Sequence, residues 1–111
     1  MKIRFASTMA MVIVALTTTM TPVCAQTYPV KPIRLVVPFA PGGNADIVGR
    51  LMAAGMAQFL GQPVLVDNRA GAGGGVGAAQ VARSAPDGYT LLSGSNGPLT
   101  VNPFVQLNPG Y

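Results

Sequence analysis

The amino-acid sequence predicts an α/β fold with a parallel sheet, and three observations carry this prediction. Three short apolar runs have the character of strands, at 33–39, 64–66 and 89–92. Two helix-like stretches separate these runs, and glycine-rich segments join the first two strands to the helices. An alternating order of strands and helices is typical of parallel sheets with right-handed crossovers. Because open parallel sheets bind ligands beyond the carboxyl ends of their strands, the glycine-rich joins form the candidate site.

The first strand is predicted from the nearly continuous apolar run between Ile33 and Phe39. Such a run is typical of a strand that is buried on both faces. Pro38 has no backbone N–H to donate, so we expect the hydrogen-bonded ladder to stop there. Residues 28–32 are predicted to be extended, because each proline disfavours a helical conformation at the residue before it.

A helix is predicted from Asn44 to the residue before Gly61. Asn44 is a favourable capping residue, and Asp46 lies in the first turn, where the helix dipole favours a carboxylate. Gly61 is expected to end the helix, and Pro63 then prevents its continuation. Apolar residues at spacings of three and four predict the face that packs on the sheet. That face comprises Val48, Leu51, Met52, Gly55 and Phe59.

The elements that follow are shorter. A second buried strand at 64–66 leads to a glycine-rich loop and then to an alanine-rich helix predicted at 76–84. A turn at 85–88 precedes the third strand, which opens into the polar segment 93–97. The segment 101–105 is too short and too interrupted by proline for an assignment. The side chains predicted to pack from the second helix are Val76, Ala79, Val81 and Ala82.

Residues 1–25 are predicted to be a secretory signal peptide, so that the mature domain spans 26–111. A basic start and an apolar run too short to span a bilayer are followed by Val23-Cys24-Ala25, which provides small residues before the cleavage point. An uncleaved membrane anchor and a lipoprotein acylated at Cys24 are the alternatives. Val23 is larger than the residue expected before a lipid-bearing cysteine.

Composition restricts the compartment and the partners. Cleavage would remove the only cysteine, and an exported chain without disulfides fits a bacterial periplasm. The whole chain carries a formal net charge of +4, and two of its seven basic residues lie in the leader. The remaining charge does not indicate a nucleic-acid partner. A domain of this size is marginal, and the sequence ends at a turn signal, so we expect an N-terminal fragment of a larger protein.

The side chains do not indicate an enzyme class. Segment 73–78 fits a dinucleotide-binding pattern, but the acidic residue expected about 20 positions later is missing. The chain contains no histidine, so neither a serine-hydrolase triad around the elbow-like segment 93–97 nor a histidine metal site can form from these residues. We therefore expect no catalytic residue, no metal and no cofactor. Asp67 and Asp87 are interpreted as strand-end and turn residues.

The glycine clusters at 42–43 and 71–75 have two interpretations. Most glycine clusters are tight turns, and both clusters could be no more than that. A turn needs only one or two glycines, however, whereas the second cluster has four within five residues. Backbone N–H groups at a glycine-rich join can approach a ligand closely, and the following helix favours an anion. An anion-binding function is therefore favoured over plain turns.

Three ordered motifs and a fainter fourth cover most of the chain. The first lies within 28–46, the second within 61–74 and the third at 85–92, and Asn102-Pro103 is the fourth. Together they resemble the Bug family, the extracytoplasmic solute receptors of tripartite tricarboxylate transporters. Three motifs in the family's order and spacing are far more specific than any one glycine cluster.

The resemblance implies a larger receptor with two α/β domains, of the periplasmic-binding-protein type II, which closes on its ligand like a flytrap. This chain would then be a truncated form, comprising the leader and the parallel-sheet half of domain one. The implied ligand is a small-molecule carboxylate held by backbone N–H groups and bridging waters, and the implied partners are the transporter's membrane subunits. The ligand-binding residues implied by the resemblance are Phe39, Ala40, Pro41, Gly42, Gly43, Asn44, Asp46, Gly71, Ala72, Gly73, Gly74, Ser95 and Asn96.

Two other functions stay open from the sequence. An exported α/β enzyme, either a hydrolase or a dinucleotide-binding protein, would need catalytic residues beyond Tyr111. A non-functional relic would have exposed strand edges and no complete pocket. Whichever function is correct, we expect this chain alone to bind a ligand weakly or not at all.

Overall fold

The computed structural model describes residues 27–111, and the predicted signal peptide lies outside the described residues. A parallel sheet of three strands forms its centre, with the first strand of the sequence between the second and the third. β1 spans Ile33–Val37, β2 spans Val64–Asn68 and β3 spans Thr90–Leu92. Both strand pairs are parallel, so all three carboxyl ends lie at one edge of the sheet. The predicted parallel α/β architecture is confirmed.

β1 is the central strand and supplies most of the core. Its apolar side chains are almost inaccessible to solvent, and Leu35 is paired with Val66 on one side and with Leu91 on the other. The strand ends directly before Pro38, as predicted. β2 is only partly buried, so the prediction that it is a buried strand is wrong. Within the described residues it forms an edge of the sheet.

The first helix, α1, spans Asn44–Leu60 and ends at Gly61, whose φ of 68° is the predicted left-handed conformation. The prediction that Asn44 caps this helix is wrong. Gly43 occupies the capping position, and as a glycine it has no side chain to bond the first helical N–H groups. Asp46, the third helical residue, instead reaches back to the N–H of the residue before the cap. The contact is similar to that of a capping box, in which the third helical side chain accepts from the N–H of the cap residue itself.

The face of α1 that packs on the sheet is not the predicted one. Gly49 and Ala53 are buried, and a Cβ added to Gly49 would lie 2.7 Å from Cγ2 of Val37. The predicted face points away, since Leu51 is 70% exposed and Phe59 is 91% exposed. Small side chains let the helix approach the strands closely, and this proximity decides the buried face. The same exposed side carries Val48, Met52 and Gly55.

The second helix, α2, spans Gly75–Ala82 and also packs through its smallest residues. Gly77 and Ala78 are buried, and a Cβ on Gly77 would lie 2.9 Å from Cβ of Pro38. The predicted packing residues are therefore only partly correct. Val76 and Ala82 are exposed, and Ala79 and Val81 are half-buried.

The C-terminal part forms helical structure in the segment that the sequence left unassigned. A π-helical turn at Gly97–Val101 runs into a short helix, α3, at Asn102–Val105. Asn102 is buried, and the hydroxyl of Tyr111 donates to the carbonyl oxygen of Pro98 at 2.6 Å. In residues 27–111, the helices are all too short or too polar to cross a bilayer.

The N-terminal lead-in is fastened to the turn before β3. The hydroxyl of Tyr28 donates to the carbonyl oxygen of Gly88 at 2.6 Å, and the Tyr28 and Tyr89 rings lie 5.0 Å apart. Nζ of Lys31 lies 3.3 Å from Oδ2 of Asp87. These contacts lie at the amino end of the sheet and hold the first and third motifs together.

Candidate functional site

Three loops follow the carboxyl ends of the three strands and meet at their bases. Pro38 is buried between them. A Cβ added to Gly74 would lie 3.0 Å from Cδ of Pro98 and 3.4 Å from Cβ of Pro38. Contacts this close show that the loops share one packed base. They are the first loop (39–43), the second loop (69–74) and the third loop (93–96).

Asp46 joins the first loop, α1 and the end of β2. Its Oδ2 accepts from the N–H of Gly42 at 2.9 Å and from Nε of Arg50 at 3.0 Å. Its Oδ1 accepts from Nδ2 of Asn68 at 3.0 Å, and the same Nδ2 donates to the carbonyl oxygen of Phe39 at 3.1 Å. Both carboxylate oxygens are therefore engaged in holding the loop.

These bonds keep Asp46 ionised. The side chain of Arg50, the N–H of Gly42 and the side chain of Asn68 together lower the pKa of Asp46 to about 2, against the opposing effect of desolvation. The positive charge of Arg50 offsets the carboxylate, so the start of α1 is not strongly negative. The N–H of Gly42 already donates to Asp46, so it is not among the donors left for a ligand.

The start of α1 presents unbonded backbone donors. Among the described residues, the N–H groups of Gly43, Asn44 and Ala45 donate to no protein acceptor, whereas those of Asp46 and Ile47 both donate to the carbonyl oxygen of Gly43. The first N–H groups of a helix lack partners within the helix and carry its positive dipole end. This group of three amides can hold an anion.

The second loop has an unusual backbone. All four residues of 71–74 have positive φ, between 48° and 137°. The N–H groups of Gly74 and Val76 donate to the carbonyl oxygen of Gly71, at 2.9 and 3.4 Å. The amide of Gly74 is therefore already bonded and is not among the donors left for a ligand.

A buried asparagine supports the second loop from behind. Nδ2 of Asn102 lies 3.2 Å from the carbonyl oxygen of Ala72 and 3.5 Å from that of Gly73. Nε2 of Gln106 also donates to the carbonyl oxygen of Ala72, at 3.4 Å. Gly97 lies so close that an added Cβ would be 2.5 Å from the carbonyl oxygen of Gly73. The turn after the third loop thus packs directly on the second loop.

The third loop contributes an unsatisfied hydroxyl. Oγ of Ser95 is buried and has no hydrogen-bond partner within residues 27–111, whereas its backbone carbonyl accepts from the N–H of Leu99 at 3.2 Å. Asn96 is exposed at the start of the π-helical turn. A buried hydroxyl without a partner is costly, so such groups commonly mark a water or ligand position.

The structure brings the predicted site residues to one edge but does not enclose them. An open cleft of about 570 Å³ lies between α2 and residues 106–109, and of the predicted residues it includes only Ala72. The described residues contain no group of three or more metal-binding side chains. We call the surface formed by the first, second and third loops, together with the start of α1, the binding wall. Its polar groups are chiefly backbone donors.

Sequence reasoning gave no site role to three side chains that organise these loops. Arg50 and Asn68 hold Asp46, and Asn102 holds the second loop. Asn68 and Asn102 lie within the second and fourth motifs, so their presence in motifs was the available signal. No local pattern signals Arg50 beyond its spacing of four residues from Asp46.

Comparison with known proteins places the chain in a family. The family model for the tripartite tricarboxylate transporter family receptor, TctC, matches residues 48–110, which is more than half of the chain. The chain belongs to the TctC family. The resemblance to Bug proteins, which rested on the motifs, is confirmed by relatives that carry that name.

Individual relatives of this TctC-family chain are similar over its motif-containing part. Protein BugT of Bordetella pertussis is 56% identical over 81 residues, which cover 72% of this chain and 25% of BugT. The solved periplasmic binding protein BugD is 52% identical, with a TM-score of 0.57, over 59% of this chain and 22% of BugD. The chain thus spans about a quarter of the length of the relatives it matches.

Two solved relatives contain carboxylates. MatC from Rhodopseudomonas palustris, solved with bound malate, is 52% identical with a TM-score of 0.56. A second R. palustris protein, solved with adipate, is 42% identical with a TM-score of 0.57. Each match covers 59% of this chain and 22% of the solved protein. These likenesses confirm the predicted fold class, a parallel-sheet part of a periplasmic binding protein.

Proposed function

We propose that this chain forms part of a periplasmic solute receptor that binds a small-molecule carboxylate at the carboxyl edge of its sheet. The observation that carries the proposal is the group of unbonded N–H donors at Gly43, Asn44 and Ala45. Membership of the receptor family supports it. So do the malate and adipate found in two solved relatives.

Backbone donors suit a receptor that must release its solute. The dipole and free N–H groups at a helix start stabilise an anion by about 0.3–1 kcal/mol, without a buried ion pair. Nε of Arg50 donates to Asp46, so we propose the backbone donors, and not Arg50, as the ligand's partners. The buried hydroxyl of Ser95 is a further polar contact for the ligand or for a bridging water.

The proposed binding wall keeps the residues implied by the family resemblance, with two changes of role. Asp46 holds the first loop through its engaged carboxylate, and Gly42 and Gly74 shape the loops while their N–H groups are bonded internally. The remaining proposed contacts are Phe39, Ala40, Pro41, Gly43, Asn44, Gly71, Ala72, Gly73, Ser95 and Asn96.

The rest of the proposal follows from the family. A receptor of a tripartite tricarboxylate transporter works outside the cytoplasm and delivers its solute to membrane subunits. We therefore propose a periplasmic location, export through the predicted signal peptide, and binding without catalysis. Most residues of the first two loops are exposed to solvent, so we expect binding by this chain alone to be weak.

Nuclear magnetic resonance titration suits weak binding. We expect adipate or malate to shift the amide signals of residues 43–45 in a saturable manner. The neutral diamide of adipate is the matched control, because it has the same length without the charges, and it should leave these signals unchanged. Shifts caused equally by the diamide, or caused by NAD and by none of the acids, would overturn the proposal.

A proline at the first helical position tests the backbone donors directly. Asn44→Pro removes one N–H, and proline is well tolerated at this position of a helix. The preceding Gly43 has φ −80° and ψ 169°, which is compatible with a following proline. We expect binding about tenfold weaker, since one charge-assisted hydrogen bond is lost. Asn44→Ala keeps the N–H and should bind as the unchanged chain does; equal loss in both variants would contradict the proposal.

A further inference from the structure

We propose that Asn102 is a positioning residue that fixes the second loop in its ligand-binding conformation through its side-chain N–H₂ group. This inference rests on the proposed function, because it concerns the same wall. Asn102 is 5% exposed and donates to the carbonyl oxygens of Ala72 and Gly73. It therefore acts on the loop from behind and does not contact the solute.

The second loop needs such support because of its backbone conformation. Ala72 has a φ of 48°, which is unfavourable for a residue with a Cβ. Its carbonyl oxygen accepts from Asn102 at 3.2 Å and from Gln106 at 3.4 Å. Two donors on one carbonyl hold that peptide plane and so set the direction of the N–H of Gly73, which belongs to the same plane.

The same element links the second loop to the third. Asn102 follows directly after the π-helical turn at Gly97–Val101, and Gly97 lies against the carbonyl oxygen of Gly73. π-Helical turns are rare in proteins, and those that occur often lie at functional sites. The turn sets both the position of Ser95, whose carbonyl accepts from Leu99, and the position of Asn102. Displacing Asn102 would therefore separate the two loops.

The chemistry of the contact requires a donor. Both partners of Nδ2 are carbonyl oxygens, so an Asp side chain of the same shape would place a carboxylate oxygen against them. Burial and the lack of a donor would raise the pKa of that carboxyl. When protonated, it regains one O–H donor. Asn102→Asp should therefore be defective at neutral pH and recover as the pH falls.

The test uses the full chain labelled with ¹⁵N and titrated with adipate. We expect Asn102→Asp to bind adipate about tenfold more weakly than the unchanged chain does at about pH 8. At about pH 5 its affinity should approach that of the unchanged chain measured at the same pH. Asn102→Ala cannot regain a donor, so its loss of affinity relative to the unchanged chain should be the same at both pH values. Asn108→Asp introduces the same charge at an exposed position and should bind as the unchanged chain does.

A second measurement needs no ligand. Scalar couplings and chemical shifts of Ala72 report its φ, which should leave the positive range in Asn102→Asp at about pH 8 and return at about pH 5. Gln106→Glu replaces the more exposed donor and should cause a smaller change in the same signals, which provides a milder variant if Asn102→Asp does not fold. Unchanged signals in both variants would overturn the inference. Failure of the unchanged chain to bind either adipate or malate would overturn the proposed function, while the φ measurement would still decide the role of Asn102.

Discussion

The side-chain N–H₂ group of Asn68 donates to Oδ1 of Asp46 at 3.0 Å, between residues 22 positions apart in the sequence. The same nitrogen donates to the carbonyl oxygen of Phe39 at 3.1 Å. The last residue of β2 therefore bonds to the start of the first loop and to Asp46 in α1. The carboxylate of Asp46 in turn anchors the end of the loop through the N–H of Gly42. The conformation of this proposed binding loop depends on one buried ionised group.

We predict that Asp46→Asn lowers the melting temperature of the chain by about 5 °C or more. An amide in place of the carboxylate puts a donor against one of the existing donors from Gly42, Arg50 or Asn68 and leaves Arg50 without its charged partner. Circular dichroism during heating measures the effect. Asp67→Asn is the matched control, since Asp67 pairs with the exposed Arg69, and such pairs contribute little. Equal losses in the two variants would contradict the anchoring role.

The stability of the chain should fall in acid through the same group. The pKa of Asp46 is lowered from 3.8 to about 2 on folding, so this carboxylate stabilises the fold fully above the unfolded value and loses that effect as the pH falls towards the folded one. Melting temperatures of the unchanged chain and of Asp46→Asn should therefore converge between about pH 4 and pH 2. The pKa of Asp87 is also lowered, by the N–H of Tyr89 and by Lys31. Protonation of Asp87 should lower the stability of the unchanged chain and of Asp46→Asn alike, so it does not alter the difference between them. A difference that stayed constant with pH would show that the charge of Asp46 is irrelevant.

The sequence predicted which elements form more reliably than which sides of them are buried. The alternation of strands and helices follows from local residue types and was predicted correctly. The buried face of α1 was not, because Gly49 and Ala53 carry too little apolar area to dominate a periodic pattern. A long-range contact decided the outcome: Gly49 fits against Val37, where a larger residue would not. Periodicity does not contain that information.

Paired substitutions in α1 test this assignment of faces. We predict that Leu51→Gln changes the free energy of unfolding by no more than about 0.5 kcal/mol, because Leu51 is exposed. Gly49→Leu should cost about 1–3 kcal/mol, because its Cβ alone would lie 2.7 Å from Cγ2 of Val37 in the sheet. Urea denaturation measures both. If Leu51→Gln were the more damaging of the two, the face predicted from periodicity would be the buried one after all.

The candidate site was predictable in position but not in its internal bonding. Parallel strand order places the loops at one edge, and glycine content marks them as places of close backbone approach. The N–H groups of Gly42 and Gly74 bond to partners only four and three residues away. The loop conformations that allow these bonds are held by Asn68 and Asn102, which lie 22 and 30 residues from Asp46 and Ala72. Such pairings follow from the tertiary fold. Local sequence therefore could not show the loop conformations in which Gly42 and Gly74 are already bonded.

Two helical glycines provide a final test, because the same substitution should have opposite effects. Gly55→Ala in α1 meets no atom within 4 Å, so we predict a stabilisation of about 0.5–1 kcal/mol from the better helix propensity of alanine. In Gly77→Ala the new Cβ would lie 2.9 Å from Cβ of Pro38 and 3.1 Å from the carbonyl oxygen of Arg69. Overpacking there should outweigh the gain in propensity and destabilise the chain by about 1–3 kcal/mol. Urea denaturation of both variants measures these changes. A stabilising Gly77→Ala would mean that α2 does not pack against the base of the first loop, and the common base of the three loops would then be wrong.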